Sequence, residues 1–261
     1  MAQSPSGIPS TNNSVMSITR SGQTEPFDLQ VARGQVAGHS VVSLFGYQTS
    51  VTATAIPIWE NATTYTYPTT ATTLTCSSTS VTDVSPAAFT INGLDANFNP
   101  VSEVVVLNGT TGVTTQNKYF RVNSLNMVGV ASGQTSNVGT ITVKQTTNIL
   151  AQINAGIGKS QSTIYTVPAG NTFYLDWVEA NTSNSYTGST IVTYKVQAGD
   201  NVSGVTRAIL QQPFVSIYTV NRSSNPFAYT EKTDLQFQLN TNTGTIAAGV
   251  IVIGKLISNG S

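Results

Sequence analysis

Apolar residues recur along this chain in short period-two runs, the spacing of strands with one covered face. Phe27-Asp28-Leu29-Gln30-Val31 alternates in this way, and so do Val51, Ala53 and Ala55 against Thr52 and Thr54. Ala88-Phe89-Thr90-Ile91, Glu103-Val104-Val105-Val106-Leu107, Tyr119-Phe120-Arg121-Val122 and Thr140-Ile141-Thr142-Val143 continue the series. In the second half Phe173, Leu175 and Trp177 share a predicted face, as do Val192, Tyr194 and Val196, and Leu235, Phe237 and Leu239. Val41-Val42-Ser43-Leu44-Phe45 is more continuous and predicts a strand covered on both sides. Ala247 to Ile257 is almost wholly apolar and predicts a central strand. No segment carries a convincing 3.6-residue period. Asn148 to Ile153 fits either a helical turn or a strand, and its setting favours the strand.

Turn chemistry separates these runs. Asn92-Gly93 and Asn108-Gly109 are dipeptides that tolerate positive φ and predict tight turns. Pro68, Pro86 and Pro100 interrupt pairing elsewhere, and Gly38 and Gly46 suit bulges or turns. Many short strands at this spacing predict an all-β protein. The expected architecture is two tandem β-sandwich or jelly-roll-like domains after an extended polar arm. The arm covers residues 1–26, domain one 27–147 and domain two 148–261, with Gly156-Ile157-Gly158-Lys159-Ser160 as the linker. One continuous large sandwich is the competing arrangement.

Charge changes the picture most. Lys, Arg, Asp and Glu make up 8% of the residues and cancel, 11 against 11; ordinary soluble proteins carry about 25%. Nucleic-acid binding through phosphate contacts needs clustered cations, and these are scattered and matched by acids. No apolar run reaches the roughly 18 residues of a membrane span, and the first residues lack the charge and apolar stretch of a signal peptide. Neither nucleic acid nor membrane is therefore an expected partner. A chain without net charge also lacks the self-repulsion that keeps monomers apart, which suits a component of an assembly.

Candidate chemistry is sparse. His39 and Cys76 are the sole residues of their kinds, too few for a zinc site within one chain, and neither sits in a nucleophile motif. Asp95-Ala96-Asn97-Phe98-Asn99-Pro100 begins like a calcium loop. It has Pro100 where the loop needs glycine and Val106 where it needs glutamate, so a turn capped by its own side chains is expected. Glycoside hydrolysis requires two carboxylates about 5–10 Å apart. Glu60, Glu103, Asp176, Glu179 and Glu231 are the candidates, and Asp176 and Glu179 fall on opposite faces of a regular strand. Trp59, Tyr65 and Tyr67 form either a sugar platform or core packing. Glycosylation sequons at Asn12, Asn61, Asn108, Asn181, Asn201 and Asn221 follow from the composition. The expectation is a non-enzyme with no catalytic residue, metal or cofactor.

Several stretches carry a resemblance. They are Gly34-Gln35-Val36-Ala37-Gly38-His39-Ser40-Val41-Val42-Ser43-Leu44-Phe45-Gly46, Ile58-Trp59-Glu60 with Thr64-Tyr65-Thr66-Tyr67-Pro68-Thr69, and Gly93-Leu94-Asp95-Ala96-Asn97-Phe98-Asn99. Glu103 to Thr111, Tyr119-Phe120-Arg121-Val122 and Ile164-Tyr165-Thr166-Val167-Pro168-Ala169-Gly170 follow the same pattern. Over residues 28–257 the chain resembles a family of virion structural proteins of tailed bacteriophages, many of them aquatic. It departs at Trp59-Glu60-Asn61, where relatives often carry a glycine-rich turn. The resemblance implies a β-rich protein built into the phage particle, in head or tail. Together with the polar arm, the sparse charge and the lack of a reactive site, the expectation is a capsid decoration (cement) protein on the head surface, binding the major capsid protein or other virion proteins as a homo-oligomer, by analogy a trimer. A tail or fibre-connector component and a glycan-binding adhesin are the alternatives.

Overall fold

The computed structural model describes residues 25–61, 63–183 and 190–260. The expected arm thus lies almost entirely outside the described residues, as does the Asn12 sequon. The described chain is all-β apart from one short helix, α1 (Phe27–Ala32).

Four sheets carry the fold. The first runs β1 (His39–Val51), β17 (Ile246–Ser258), β11 (Asn171–Thr182), β14 (Ile217–Asn221), with β15 (Phe227–Tyr229) also paired to β11. The second runs β10 (Ile164–Thr166), β16 (Thr233–Thr241), β12 (Val192–Asp200), β13 (Thr206–Phe214), with β2 (Ile56–Pro57) on β16. The third runs β6 (Val113–Thr114), β3 (Thr75–Ser78), β8 (Ile141–Gln145), β9 (Asn148–Ile153). The fourth is β5 (Pro100–Asn108), β4 (Val84–Leu94), β7 (Arg121–Gly129). All pairings within these sheets are antiparallel.

Two large apolar cores and a smaller cluster of Trp59, Tyr65 and Ile164 fill the described fold. One joins the first and second sheets through residues such as Leu44, Phe173, Tyr194, Phe237 and Val250. The other joins the third and fourth through Leu74, Phe89, Leu107, Leu125 and Ile141. The strand alternation explains both: β12 buries Val192, Tyr194, Val196 and Ala198 and turns the intervening residues outward. The all-β class is as expected; taken together the sheets read as a four-blade, propeller-like ring in which no clear tandem pair of jelly rolls stands out.

The pairing revises the expected division of the chain. β1 joins β17, with His39 opposite Ile257 and Val51 opposite Ile246, so the first strand belongs with the second half. β8 and β9 form a hairpin in which Gln145 faces Asn148, so the expected boundary at 147/148 falls inside a turn. The segment 75–153 is thereby inserted between β2 and β10. Residue patterns announce strands but not their partners, and a long apolar strand such as β17 can take a partner from anywhere in the chain.

Local corrections have local causes. Residues 27–31 form a helix because Pro26 accepts the amides of Leu29 and Gln30, and Asp28 occupies the first turn, where the helix dipole favours an acid. Gly34, at φ +68°, ends it. Asn92-Gly93 lies inside β4 rather than at a turn. A Cβ on Gly93 would sit 2.2 Å from the Arg121 carbonyl, so glycine is there for close backbone approach. Asn108-Gly109 does turn, with Gly109 at φ +60°. Val41 and Phe45 are each 43% exposed, so β1 is covered on one face only. Trp177 is 36% exposed, because β11 slips register between Leu175 and Trp177. That bulge inserts Asp176 and turns the indole out of the core.

Candidate functional site

The most demanding chemistry in the fold is a buried ion pair. Arg121, near the start of β7, and Asp234, on β16, are 3% and 7% exposed and come from the inserted segment and the enclosing unit. Arg121 Nε donates to Asp234 Oδ1 and Nη2 to Oδ2, each at 2.8 Å. Nη1 donates to the carbonyls of Pro68 (3.1 Å) and Phe120 (2.9 Å), and Nη2 also to Asn201 Oδ1 (3.2 Å). All five guanidinium donors are thus engaged. Asp234 is saturated as well, accepting Thr166 Oγ1 at 2.6 Å and Asn201 Nδ2 at 2.8 Å. The guanidinium lies 4.0 Å from the ring centre of Phe120, 4.8 Å from Tyr67 and 5.6 Å from Phe98. A planar, delocalised cation is needed for this combination of fork and stacking.

Above the pair opens a cavity of about 500 Å³. Its walls include Tyr67, Pro68, Thr69 and Phe120, its floor the polar face of β12 and β16, and its far side Asp200, Asn201, Gly204 and Thr206. Gln197 faces Gln236 across that floor. The Gln238 amide nitrogen donates to both of their carbonyl oxygens, at 2.8 and 2.7 Å, and the Gln236 side chain also bonds the Tyr67 hydroxyl. Asp200 accepts from Val202 N and Ser203 Oγ, and these bonds hold its carboxyl below the usual range.

The residues singled out in the sequence are dispersed. His39 is half-buried at the start of β1, its Nδ1 3.0 Å from the Ala37 carbonyl and its ring edge-on to Phe27. Cys76 is buried in the second core, and burial, with Glu103 adding to it, pushes its thiol up to about 12. Asp95 caps its own turn, accepting Asn97 N at 2.8 Å and Asn99 N at 2.9 Å. Burial, the largest single influence, opposes its ionisation, but the bonds from Asn99 and Asn97 together hold it below the usual carboxylate range. Glu103 accepts the amides of Gln116 and Asn117, and Glu231 that of Gly170. Asp176 binds Lys255, which also reaches Asp28 on α1. Glu60 accepts Asn154 N at 2.9 Å; burial raises its carboxyl to about 7, against the backbone bonds from Asn154 and Gln161. Among the described residues no three His, Cys, Asp or Glu side chains gather as a metal-binding group.

Two of the three candidate platform rings are core. Trp59 and Tyr65 are 2% and 5% exposed and stack edge-on in a ladder, Trp59 to Tyr65 at 5.2 Å and Tyr65 to Tyr67 at 4.9 Å. Only Tyr67 reaches the cavity. Of the sequon residues, Asn108 and Asn221 are exposed and Asn61 and Asn181 half-buried, while the Asn201 side chain is tied to the ion pair. Sequence reading missed Arg121 and Asp234 as a pair because 113 positions separate them. The available signal was an arginine inside an aromatic strand of a chain with so few cations.

No family model matches the chain, and no curated protein matches it. A solved structure titled "Crystal Structure of the STIV MCP" is 10% identical, covering 82% of this chain and 96% of that one, with a TM-score of 0.23. A likeness of that degree carries no argument about this chain. Among the described residues no helix is long and apolar enough to cross a membrane.

Proposed function

We propose that this chain is a non-enzymatic structural protein of a virus particle, a capsid decoration or cement protein that holds neighbouring shell subunits together. The observation that carries the reading is the outer face of the first sheet. Val41, Phe45 and Tyr47 on β1, Ile253 on β17, Trp177 on β11 and Ile217 on β14 are between 36% and 64% exposed. The register sets Ser43, Ile253, Trp177 and Asn221 in one row across the sheet, and Phe45, Ile251, Glu179 and Thr219 in the next. Exposed apolar side chains set among the polar Ser43, Asn221, Glu179 and Thr219, on a chain with 8% charge, fit a surface meant to be covered. The matching partner is a shell protein with an apolar surface; nucleic acid and membrane are not partners in this reading.

Attachment as a homo-oligomer, a trimer by analogy with other decoration proteins, belongs to the same reading. So does the description of the two cores as two β-sandwich units. Locating the protein and its copy number in a particle reconstruction tests the function. Hundreds of copies on the head are expected; a few copies in the tail would reassign it to a tail component, and absence from the particle would end the reading. Attachment through apolar faces is not screened by salt, whereas exposed ion pairs fade as the Debye length drops to about 3 Å at 1 M. Washed particles should therefore retain the protein at high salt.

A further inference from the structure

We propose that the cavity over Arg121 and Asp234 binds a neutral, polyhydroxylated ring: a saccharide residue of a glycan. The proposal goes beyond the shell-protein reading and stands or falls separately from it.

An anion would need free cationic donors, and every N–H of Arg121 already has an acceptor. A cation would need free carboxylate. Asp234 is saturated by Arg121, Thr166 and Asn201, which leaves Asp200, with one bond on each oxygen from Val202 and Ser203, as a lone carboxylate where a cation site needs several oxygen ligands. Arg121 and Asp234 cancel each other, and the Asp200 carboxylate, near Arg207, is the charge that remains in the wall.

What remains open is neutral and directional. Gln238 orients the amides of Gln197 and Gln236 by donating to both carbonyl oxygens, so the two amide nitrogens are presented side by side on one strand face. Gln236 also serves the Tyr67 hydroxyl, and the Thr206 hydroxyl lines the same space. Planar amides with hydroxyls beside them match adjacent sugar hydroxyls, each of which both donates and accepts. Tyr67 and Phe120 supply apolar wall for the C–H face of a ring. Gly199 keeps the floor clear: a side chain there would project toward Thr206 Oγ1, 3.3 Å from a Cβ, and into the cavity. A volume of about 500 Å³ falls within the usual range for small-ligand sites, about 300–1,000 Å³, and exceeds one ring, so a short oligosaccharide fits better than a monosaccharide.

The test applies the full-length protein to an array of neutral and acidic glycans, then titrates the best neutral hits by NMR at millimolar concentration. Binding to at least one neutral glycan is expected, with shifts of the Gln197 and Gln236 side-chain amide signals. Gln197→Met keeps the length but removes the donor, and should weaken binding about tenfold; it also takes one acceptor from Gln238, which keeps Gln236, so only a small fall in the unfolding midpoint is expected. Should that variant lose stability, the amide shifts in the unmodified protein decide the matter. No binding to any neutral glycan, binding confined to sulfated or sialylated glycans, or binding that leaves both glutamine amides unmoved would each overturn the proposal.

Discussion

Replacing Arg121 with methionine is the sharpest test of how the inserted segment is fixed to the rest of the molecule. The substitution keeps much of the side-chain length but removes the charge and five donors. Asp234, 7% exposed, keeps only Thr166 and Asn201 as partners, and the carbonyls of Pro68 and Phe120 lose the donor they share. Breaking a buried ion pair from one side costs about 3–5 kcal/mol, mostly because the surviving charge stays out of water. That is a large part of the roughly 5–15 kcal/mol that holds a typical domain. At about 2–4 °C per kcal/mol for a chain near this size, the midpoint should fall by roughly 6–20 °C in calorimetry, with a parallel shift in urea. The double variant Arg121→Met with Asp234→Leu should recover much of the loss, since an apolar pair of similar volume leaves no stranded charge. A loss below about 1 kcal/mol for Arg121→Met, the range of an exposed pair, would show that water reaches Asp234 and that the site is not the dry junction described above.

Phe237→Ala should destabilise by about 3–5 kcal/mol, because the ring is fully buried, whereas Trp177→Ala should cost under about 1 kcal/mol; equal losses in chemical denaturation would place the β11 bulge wrongly. Burial favours protonated Glu60 in the folded state, so stability should be greatest below its ordinary value of 4.5 and decline as pH rises through about 7. Glu60→Gln should flatten that slope in melting curves, and an unchanged slope would assign it to another group. Cys76, buried and with its thiol raised to about 12, should resist thiol reagents in the folded protein and react on unfolding; rapid labelling under native conditions would contradict its place in the second core.

The strands were readable where burial on one face dictated the alternation, as at Leu235, Phe237 and Leu239, between which Gln236 turns to the cavity while Gln238 stays buried. The central position of β17 was readable from its nearly continuous apolar run. Trp177 misled because a bulge adds one residue without a mark in the sequence, and every face after it inverts. Phe27 to Val31 misled because five residues of period two are too few to outweigh the helix-starting Pro26 and Asp28. The cavity was half visible: Tyr67 was singled out, but with Trp59 and Tyr65, whose rings the core needed. Its polar floor and its ion pair arise from strands far apart in the chain, and no local pattern encodes that meeting.

The ladder between β1 and β17 also sets a timetable for synthesis. A chain made from its N-terminus exposes β1 early and supplies its partner last, since His39 waits for Ile257 and Val51 for Ile246. The strands of the third and fourth sheets all lie within residues 75–153, so that segment has every partner it needs while the ribosome is still making β10 to β17. Its early compaction would shorten the free chain that separates β1 from β17, and closure entropy grows only slowly with the length that remains. A nascent chain arrested before Ile246 should therefore carry a folded middle and a waiting β1, its Leu44 and Val51 bare and its backbone groups open to any other strand within reach.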